Sequence, residues 1–158
     1  MKNSIIVKSI VAGVLGTLAM TVFAAMAPLM GMPEMNVPKM LSGTMGLPVF
    51  FGWAAHFMVG IILAMSYALI FYNWFKGSGI IKGMKFSLIP WLMAQIIVMP
   101  MMAMMNGMSF SNGIFSGSLL MAVGSLLGHL VYGIILGLTY RQVSVSEPLE
   151  HSVSGVKA

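Results

Sequence analysis

The sequence predicts an all-α integral membrane protein, a four-transmembrane-helix bundle made of two tandem helix-hairpin repeats in parallel orientation. Of its 158 residues, 59% are hydrophobic and only 7% are charged, whereas about a quarter of the residues in an ordinary soluble domain are charged. Three long stretches lack Asp, Glu, Lys and Arg, and one segment occurs twice. These observations together predict the fold class.

The stretches without charged residues cover positions 9–33, 40–75 and 86–140. A helix needs about 20 apolar residues to cross the hydrocarbon core of a bilayer. As one helix, the third stretch would extend roughly 80 Å, more than twice the core thickness of about 30 Å. It must therefore turn back, and the polar, Gly-rich segment 106–113 is the predicted turn. The four expected crossings are about 5–29, 50–74, 84–105 and 115–140.

The basic residues predict the orientation of the chain in the membrane. Lys and Arg in short loops are retained on the cytoplasmic side. Lys39 alone falls on the side opposite to the chain termini. Both termini are therefore expected in the cytoplasm. The basic residues on that side are Lys2, Lys8, Lys76, Lys82, Lys85, Arg141 and Lys157.

An internal duplication is visible between residues 56–67 and 129–140, which agree at six of twelve positions without a gap. Each segment begins with His and ends with Tyr, although the chain has only three His and four Tyr. A chance match of apolar residues does not explain that coincidence. Because each copy crosses the membrane twice, both copies face the same way and are related by an axis along the membrane normal.

The duplication defines the expected domain organisation. One four-helix domain covers residues 1–141, with the first repeat at about 5–75 and the second at about 82–141. Residues 142–158 contain few large apolar side chains and are expected to be a flexible cytoplasmic tail.

Small residues recur every four positions in the second and fourth helices. Such rows let two helix backbones approach closely inside a membrane. We therefore expect these two helices to be partners about the repeat axis, with His56 and His129 in the seam between them. The residues predicted to pack there are Gly52, Gly60, Ala64, Ser125, Gly133 and Gly137.

His56 and His129 are the first candidate site, because ionisable side chains at membrane depth are costly and by default suggest a function. In one interpretation, neutral imidazoles simply form hydrogen bonds across the helix seam. In another, they are the axial ligands of haem b, with Gly60 and Gly133 making room for the porphyrin.

The 19 methionines are the second candidate, because many of them cluster near the two outer loops. Thioether sulfur is a soft ligand that suits Cu(I). Methionine is also a flexible side chain that fills irregular apolar interiors without binding anything. In the copper interpretation, the metal ligands are drawn from His56, His129, Met32, Met35, Met101 and Met105.

Two smaller features concern Gln95 and the first outer loop. Gln95 lies near mid-membrane, where its amide is expected to form hydrogen bonds with a neighbouring helix or with carbonyls freed by prolines. Pro38 to Leu41 is expected to form a short interfacial helix, capped by Asn36.

Several function classes are disfavoured. The net charge of +5 comes from scattered basic residues, so nucleic acid is not an expected partner. There is no Cys, which excludes thiol chemistry. The sequence has no phosphate-binding glycine loop, HExxH motif or nucleophile elbow, so an enzyme is not expected.

Residues 28–41, PLMGMPEMNVPKML, and 124–133, GSLLGHLVYG, resemble a group of small bacterial membrane proteins known only as a domain of unknown function. The resemblance covers residues 10–141. It implies a location in the bacterial cytoplasmic (inner) membrane, and it brings no activity or catalytic residue.

The sequence thus favours a non-enzymatic accessory or self-associating membrane subunit whose partners are the lipid bilayer and a homo-oligomer or larger membrane complex. No cofactor is assured. Binding of haem b or copper between His56 and His129 is the alternative. A small oligomeric transporter or channel is a second alternative, because duplicated hairpins are common in transporters.

Overall fold

The computed structural model describes the backbone of residues 2–145 and the side chains of residues 5–140. This part of the chain is helical and contains no strand. The helices are α1 (Lys2–Met26), α2 (Val37–Met45), α3 (Val49–Ser66), α4 (Gly79–Met93), α5 (Met99–Met105), α6 (Phe110–Gly113) and α7 (Leu119–Val145).

Four helical segments are long and apolar enough to cross a membrane, which confirms the predicted number of spans. The third begins earlier than predicted, because the Ser78 hydroxyl accepts a hydrogen bond from the Ile81 N–H and caps α4. The fourth begins later, because left-handed backbone precedes it. The spans are Ile5–Met30, Val49–Phe71, Gly79–Met105 (the third span below) and Leu119–Tyr140.

The short helix predicted in the first outer loop is present as α2. The Asn36 side chain accepts a hydrogen bond from the Lys39 N–H at 3.0 Å, and Pro38 lies in the first turn. The helix ends at Gly46, whose φ of 65° is readily adopted by glycine. The prediction of an interfacial helix capped by Asn36 is therefore confirmed in its position and cap.

The spanning helices pack in the order α3, α1, α7, α4, with α2 lying on α3. Glycines make the contacts close. A Cβ added to Gly13 of α1 would lie 2.8 Å from the Ile61 Cα of α3. Gly83 of α4 lies against Gly133 of α7 in the same way. The four helices therefore form an arc whose two ends are α3 and α4.

The predicted partnership between the second and fourth helices is corrected by this packing. Their small residues face the other helix of the same hairpin: Gly60 contacts Thr17, and Gly137 contacts Gly79. Short loops make consecutive helices neighbours, and these neighbours carry small residues of their own. The two helices still meet where the Tyr132 hydroxyl donates to the Gly60 carbonyl at 2.7 Å.

The remaining predicted packing residues follow the same pattern. Gly52 lies against Pro38 of α2, and Ala64 is fully buried near Gly13 of α1. Ser125 differs, because its hydroxyl accepts a hydrogen bond from Gln95 of the third span. The rows of small residues therefore serve packing inside each hairpin and against the loop helix.

One end of the bundle, which we call the closed half, is filled by aromatic side chains. The Tyr67 ring lies 5.2 Å from Phe86 and 5.7 Å from Tyr140, measured between ring centroids. Tyr67 belongs to a π-helical turn, Tyr67–Phe71, that continues α3. The two ends of the arc meet here. The opposite end, which carries α2 and α6, is called the cavity half.

The orientation, the repeat and the domain boundaries stay predictions. α7 continues to Val145, so residues 142–145 of the predicted tail are helical. The rest of the predicted tail, residues 146–158, lies outside the described residues.

Candidate ligand-binding cavity

A cavity of about 670 Å³ lies between the four spans in the cavity half, beneath α2. Small-molecule sites in proteins usually have volumes of about 300–1,000 Å³. Its walls are largely apolar, with Met20, Leu63 and Met102 among them. The volume and the apolar walls are those of a site for an organic molecule.

The cavity exists because the arc of helices is open on one side. Tyr67 and Phe71 join α3 to Phe86 of α4 in the closed half. In the cavity half of the described chain, α3 and the third span have no comparable packing. Val59 of α3 and Val98 of the third span line the cavity and are half-exposed. The cavity therefore opens sideways, between α3 and the third span.

Five polar side chains from three of the spans line the cavity, and we call this group the polar floor. It consists of His56, Gln95, Ser125, His129 and Tyr132, all of which line the cavity. The structure thus brings the two predicted histidines to one cavity from α3 and α7. At the mouth, Glu34, which precedes α2, and Lys39, in the first turn of α2, are exposed.

The hydrogen bonds of His56 indicate which ring nitrogen carries the proton. Its Nε2 lies 3.2 Å from the Thr21 hydroxyl, and that hydroxyl donates to the Thr17 carbonyl at 2.7 Å. A hydroxyl has one hydrogen to donate. Thr21 must therefore accept from His56, so Nε2 is protonated. In the neutral ring, Nδ1 is then unprotonated.

His129 has the opposite arrangement. Its Nδ1 lies 2.8 Å from the Ser125 carbonyl oxygen, one turn earlier in α7. A carbonyl only accepts hydrogen bonds, so Nδ1 is protonated and, in the neutral ring, Nε2 is not. Among the described residues, neither the Nδ1 of His56 nor the Nε2 of His129 has a hydrogen-bond donor.

Gln95 is 1% exposed and is held at both ends of its amide. Its Nε2 donates to the Ser125 hydroxyl at 3.2 Å, and its Oε1 accepts from the Ser116 hydroxyl at 2.8 Å. It lies in a π-helical turn, Ala94–Val98, just before Pro100, whose missing N–H disturbs the regular helix. The predicted hydrogen bond to a neighbouring helix is confirmed.

Phe115 and Ser116 form an unusual backbone segment beside the cavity. Their φ angles are 49° and 58°, in the left-handed region that non-glycine residues rarely adopt. Such conformations cost about 1–3 kcal/mol each and persist when their surroundings hold them. Ser116 is held by Gln95, and the Phe115 ring packs at 6.5 Å on Trp91. The sequence predicted a spanning helix at this position, because neither residue type marks a left-handed turn.

The methionines are divided between the cavity and the outer surface. Of the predicted copper ligands, Met35 lines the cavity. Met101 and Met105 are 55% and 65% exposed and do not line it. The predicted set is therefore not brought together. The cavity methionines are Met20, Met35, Met40, Met93, Met99, Met102 and Met121.

Met32 and Met35 do approach one another. Their sulfurs lie 3.4 and 3.1 Å from the point that a Cβ of Gly124 would occupy. No group of three or more His, Cys, Asp or Glu that could hold a metal ion occurs in the described part of the chain.

The glycines expected to make room for a porphyrin have different surroundings. Gly60 borders the cavity but also lies against Thr17 of α1. Gly133 does not line the cavity, because Gly83 and the Ser87 hydroxyl of α4 cover it. Gly133 therefore serves the seam between α4 and α7.

A family model described as a family of unknown function, DUF6789, matches residues 3–151. No curated protein and no solved structure matches the chain.

Proposed function

The chain belongs to this family of unknown function, and from its cavity we propose that it is a membrane protein that binds an apolar small molecule taken up from the bilayer. The observation that carries the proposal is the cavity of about 670 Å³, with methionine-rich walls and a polar floor. Flexible methionine side chains suit apolar ligands of irregular shape. The proposed activity is binding without covalent chemistry.

The open side of the bundle supports uptake from lipid. A ligand dissolved in the bilayer would pass between Val59 of α3 and Val98 of the third span without entering water. The rim residues Glu34 and Lys39 lie at the other approach, at the start of α2. Most of the cavity surface that a ligand would contact is therefore apolar.

Self-association, which the sequence favoured, receives less support from the packing. The rows of small residues that could bring two copies together are covered within the chain, as for Gly60 by Thr17 and Gly133 by Gly83. An accessory subunit that presents its ligand to a larger complex remains compatible with the proposed activity.

A single substitution tests the proposal by filling the opening. Replacing Val59 with Tyr would extend an aromatic ring toward the cavity from its rim. The control is Ile62→Tyr, on the same helix, because Ile62 is 52% exposed and does not line the cavity. Each variant is purified in lipid nanodiscs, and the molecules retained are extracted and quantified by mass spectrometry.

We expect the unaltered chain and Ile62→Tyr to retain an apolar molecule in stoichiometric amount, enriched over the bulk lipid. Val59→Tyr should lose most of it, because the ring competes for the same volume. Equal retention by both variants, or no enriched molecule in the unaltered chain, would contradict the proposal.

Haem b or copper is the alternative that the two unprotonated imidazole nitrogens favour, because such nitrogens are metal ligands. A visible spectrum and metal analysis of the purified chain separate it from the proposal. A Soret band or stoichiometric copper, lost in a His129→Phe variant, would establish the alternative. A small transporter is distinguished by solute flux in reconstituted vesicles.

A further inference from the structure

We infer that the polar end of the ligand is a neutral hydrogen-bond donor, such as the hydroxyl of an alcohol or phenol, and that the unprotonated nitrogen of His56 or of His129 accepts its hydrogen. The inference rests on the proposed binding function and assigns the chemical class of the ligand. It depends on which hydrogen-bonding groups in the polar floor are already satisfied by the protein.

Several donor hydrogens around the polar floor are used within the protein. The Tyr132 hydroxyl donates to the Gly60 carbonyl, and the Gln95 amide donates to Ser125. The Ser116 hydroxyl donates to Gln95.

The acceptors are in the opposite situation. His56 donates through Nε2 to Thr21, and His129 donates through Nδ1 to its own helix. Each neutral ring then keeps one unprotonated nitrogen with no donor among the described residues. Leaving such an acceptor unpaired in apolar surroundings is unfavourable. A donor on the ligand would satisfy it.

Charge narrows the ligand class further. Of the described residues that line the cavity, only Glu34 and Lys39 carry a formal charge, and both lie at the mouth. A charged group inside a membrane is costly unless it is paired. The polar floor offers no such partner, so the ligand is expected to be neutral.

A matched pair of probes tests the hydrogen-bond direction. 4-Nonylphenol and its methyl ether, 4-nonylanisole, have the same apolar part, but only the phenol can donate. Tritiated 4-nonylphenol is bound to the full chain in nanodiscs, and both compounds are used as competitors. We expect the phenol to bind about tenfold more tightly, the size of effect that one or two hydrogen bonds produce.

The variants assign the preference to the histidines. His129→Phe and His56→Phe keep an aromatic ring but remove the acceptor, so the variant that lacks the accepting histidine should lower the ratio of phenol to ether affinity. Ile62→Phe is the control, on the same helix as His56, because Ile62 is 52% exposed and does not line the cavity. It should keep the ratio of the unaltered chain.

The outcomes separate this inference from the proposal on which it rests. If the two probes bind the unaltered chain equally tightly, the inference is wrong while the cavity still binds apolar molecules. If neither binds and no enriched molecule is retained, the proposed function itself fails. An unchanged ratio in both histidine variants would contradict the role assigned to the imidazoles.

Discussion

Two helix interfaces occupy equivalent places in the predicted repeat, yet only one is closed. Where α1 meets α7, the Tyr132 ring lies on Gly16, and a Cβ added there would lie 2.9 Å from the ring. The equivalent place is between the third span and α3. In the ungapped alignment of the two copies, Val59 occupies the position of Tyr132. The cavity opens at this second interface.

If the two hairpins are copies, as the sequence predicts, this difference shows how a duplicated hairpin would acquire the proposed binding site. Two identical copies would close both interfaces or open both. The large aromatic side chain of Tyr132 closes the interface in one copy. The smaller Val59 leaves the equivalent interface open in the other. The bundle stays joined because the closed half, around Tyr67 and Phe86, holds α3 and α4 together.

The largest expected effect comes from adding one methyl group to a closed seam. In Gly133→Ala, the new Cβ would overlap the Gly83 carbonyl and lie 2.7 Å from the Ser87 hydroxyl. Both atoms belong to α4, and the Gly83 backbone cannot move without displacing that helix. We expect a loss of about 3 kcal/mol or more in the free energy of unfolding, measured by titrating folded protein from mild detergent into SDS.

The control for that change lies five residues earlier in α7, beside the cavity. In Gly128→Ala, the nearest atom is the Met20 Cγ at 3.5 Å, an ordinary contact with a flexible side chain. Stability should stay within about 1 kcal/mol of the unaltered chain. Equal losses in the two variants would mean that the halves do not differ in packing as described.

An intermediate effect is expected for Gln95→Leu in the cavity half. Leucine has a similar size but cannot bind the Ser116 or Ser125 hydroxyl. The loss should be about 1–3 kcal/mol. Because Gln95 holds the left-handed segment, amide hydrogen exchange over residues 114–117 should become faster. Ser111→Ala, at an exposed position, is the control and should leave that exchange unchanged.

The smallest effect comes from removing one hydroxyl. Tyr132→Phe loses the hydrogen bond to the Gly60 carbonyl and should cost about 1 kcal/mol. Tyr67→Phe is the matched control in the closed half, because the Tyr67 hydroxyl is buried and has no hydrogen-bond partner among the residues that the structure describes. That variant should be neutral or slightly more stable. The opposite ranking in the same SDS titration would show that the hydroxyl bridge between α7 and α3 contributes nothing.

The sequence predicted features that depend on nearby residues or on the membrane. The four spans follow from the length of helix that hydrocarbon requires, and the Asn36 cap follows from a side chain that reaches the next turn. Gln95 was expected to bond to a neighbouring helix, because an amide at membrane depth must find a partner.

Features that depend on the arrangement of several helices were not predicted. The small residues of α3 and α7 could face any helix, and only the full arc shows that they face α1, α2 and α4. Phe115 and Ser116 adopt left-handed backbone because Gln95 and Trp91 hold them from outside the segment. For the same reason, the sequence could not separate Met102, which lines the cavity, from Met101, which does not.

The sideways opening changes the quantity that governs occupancy. A site reached through lipid responds to the mole fraction of its ligand in the membrane, and an apolar molecule accumulates there far above its level in water. Modest intrinsic affinity is then enough to keep the site filled. Occupancy would rise and fall with membrane composition, so the protein would report the local abundance of one membrane component even where almost none of it is dissolved in water.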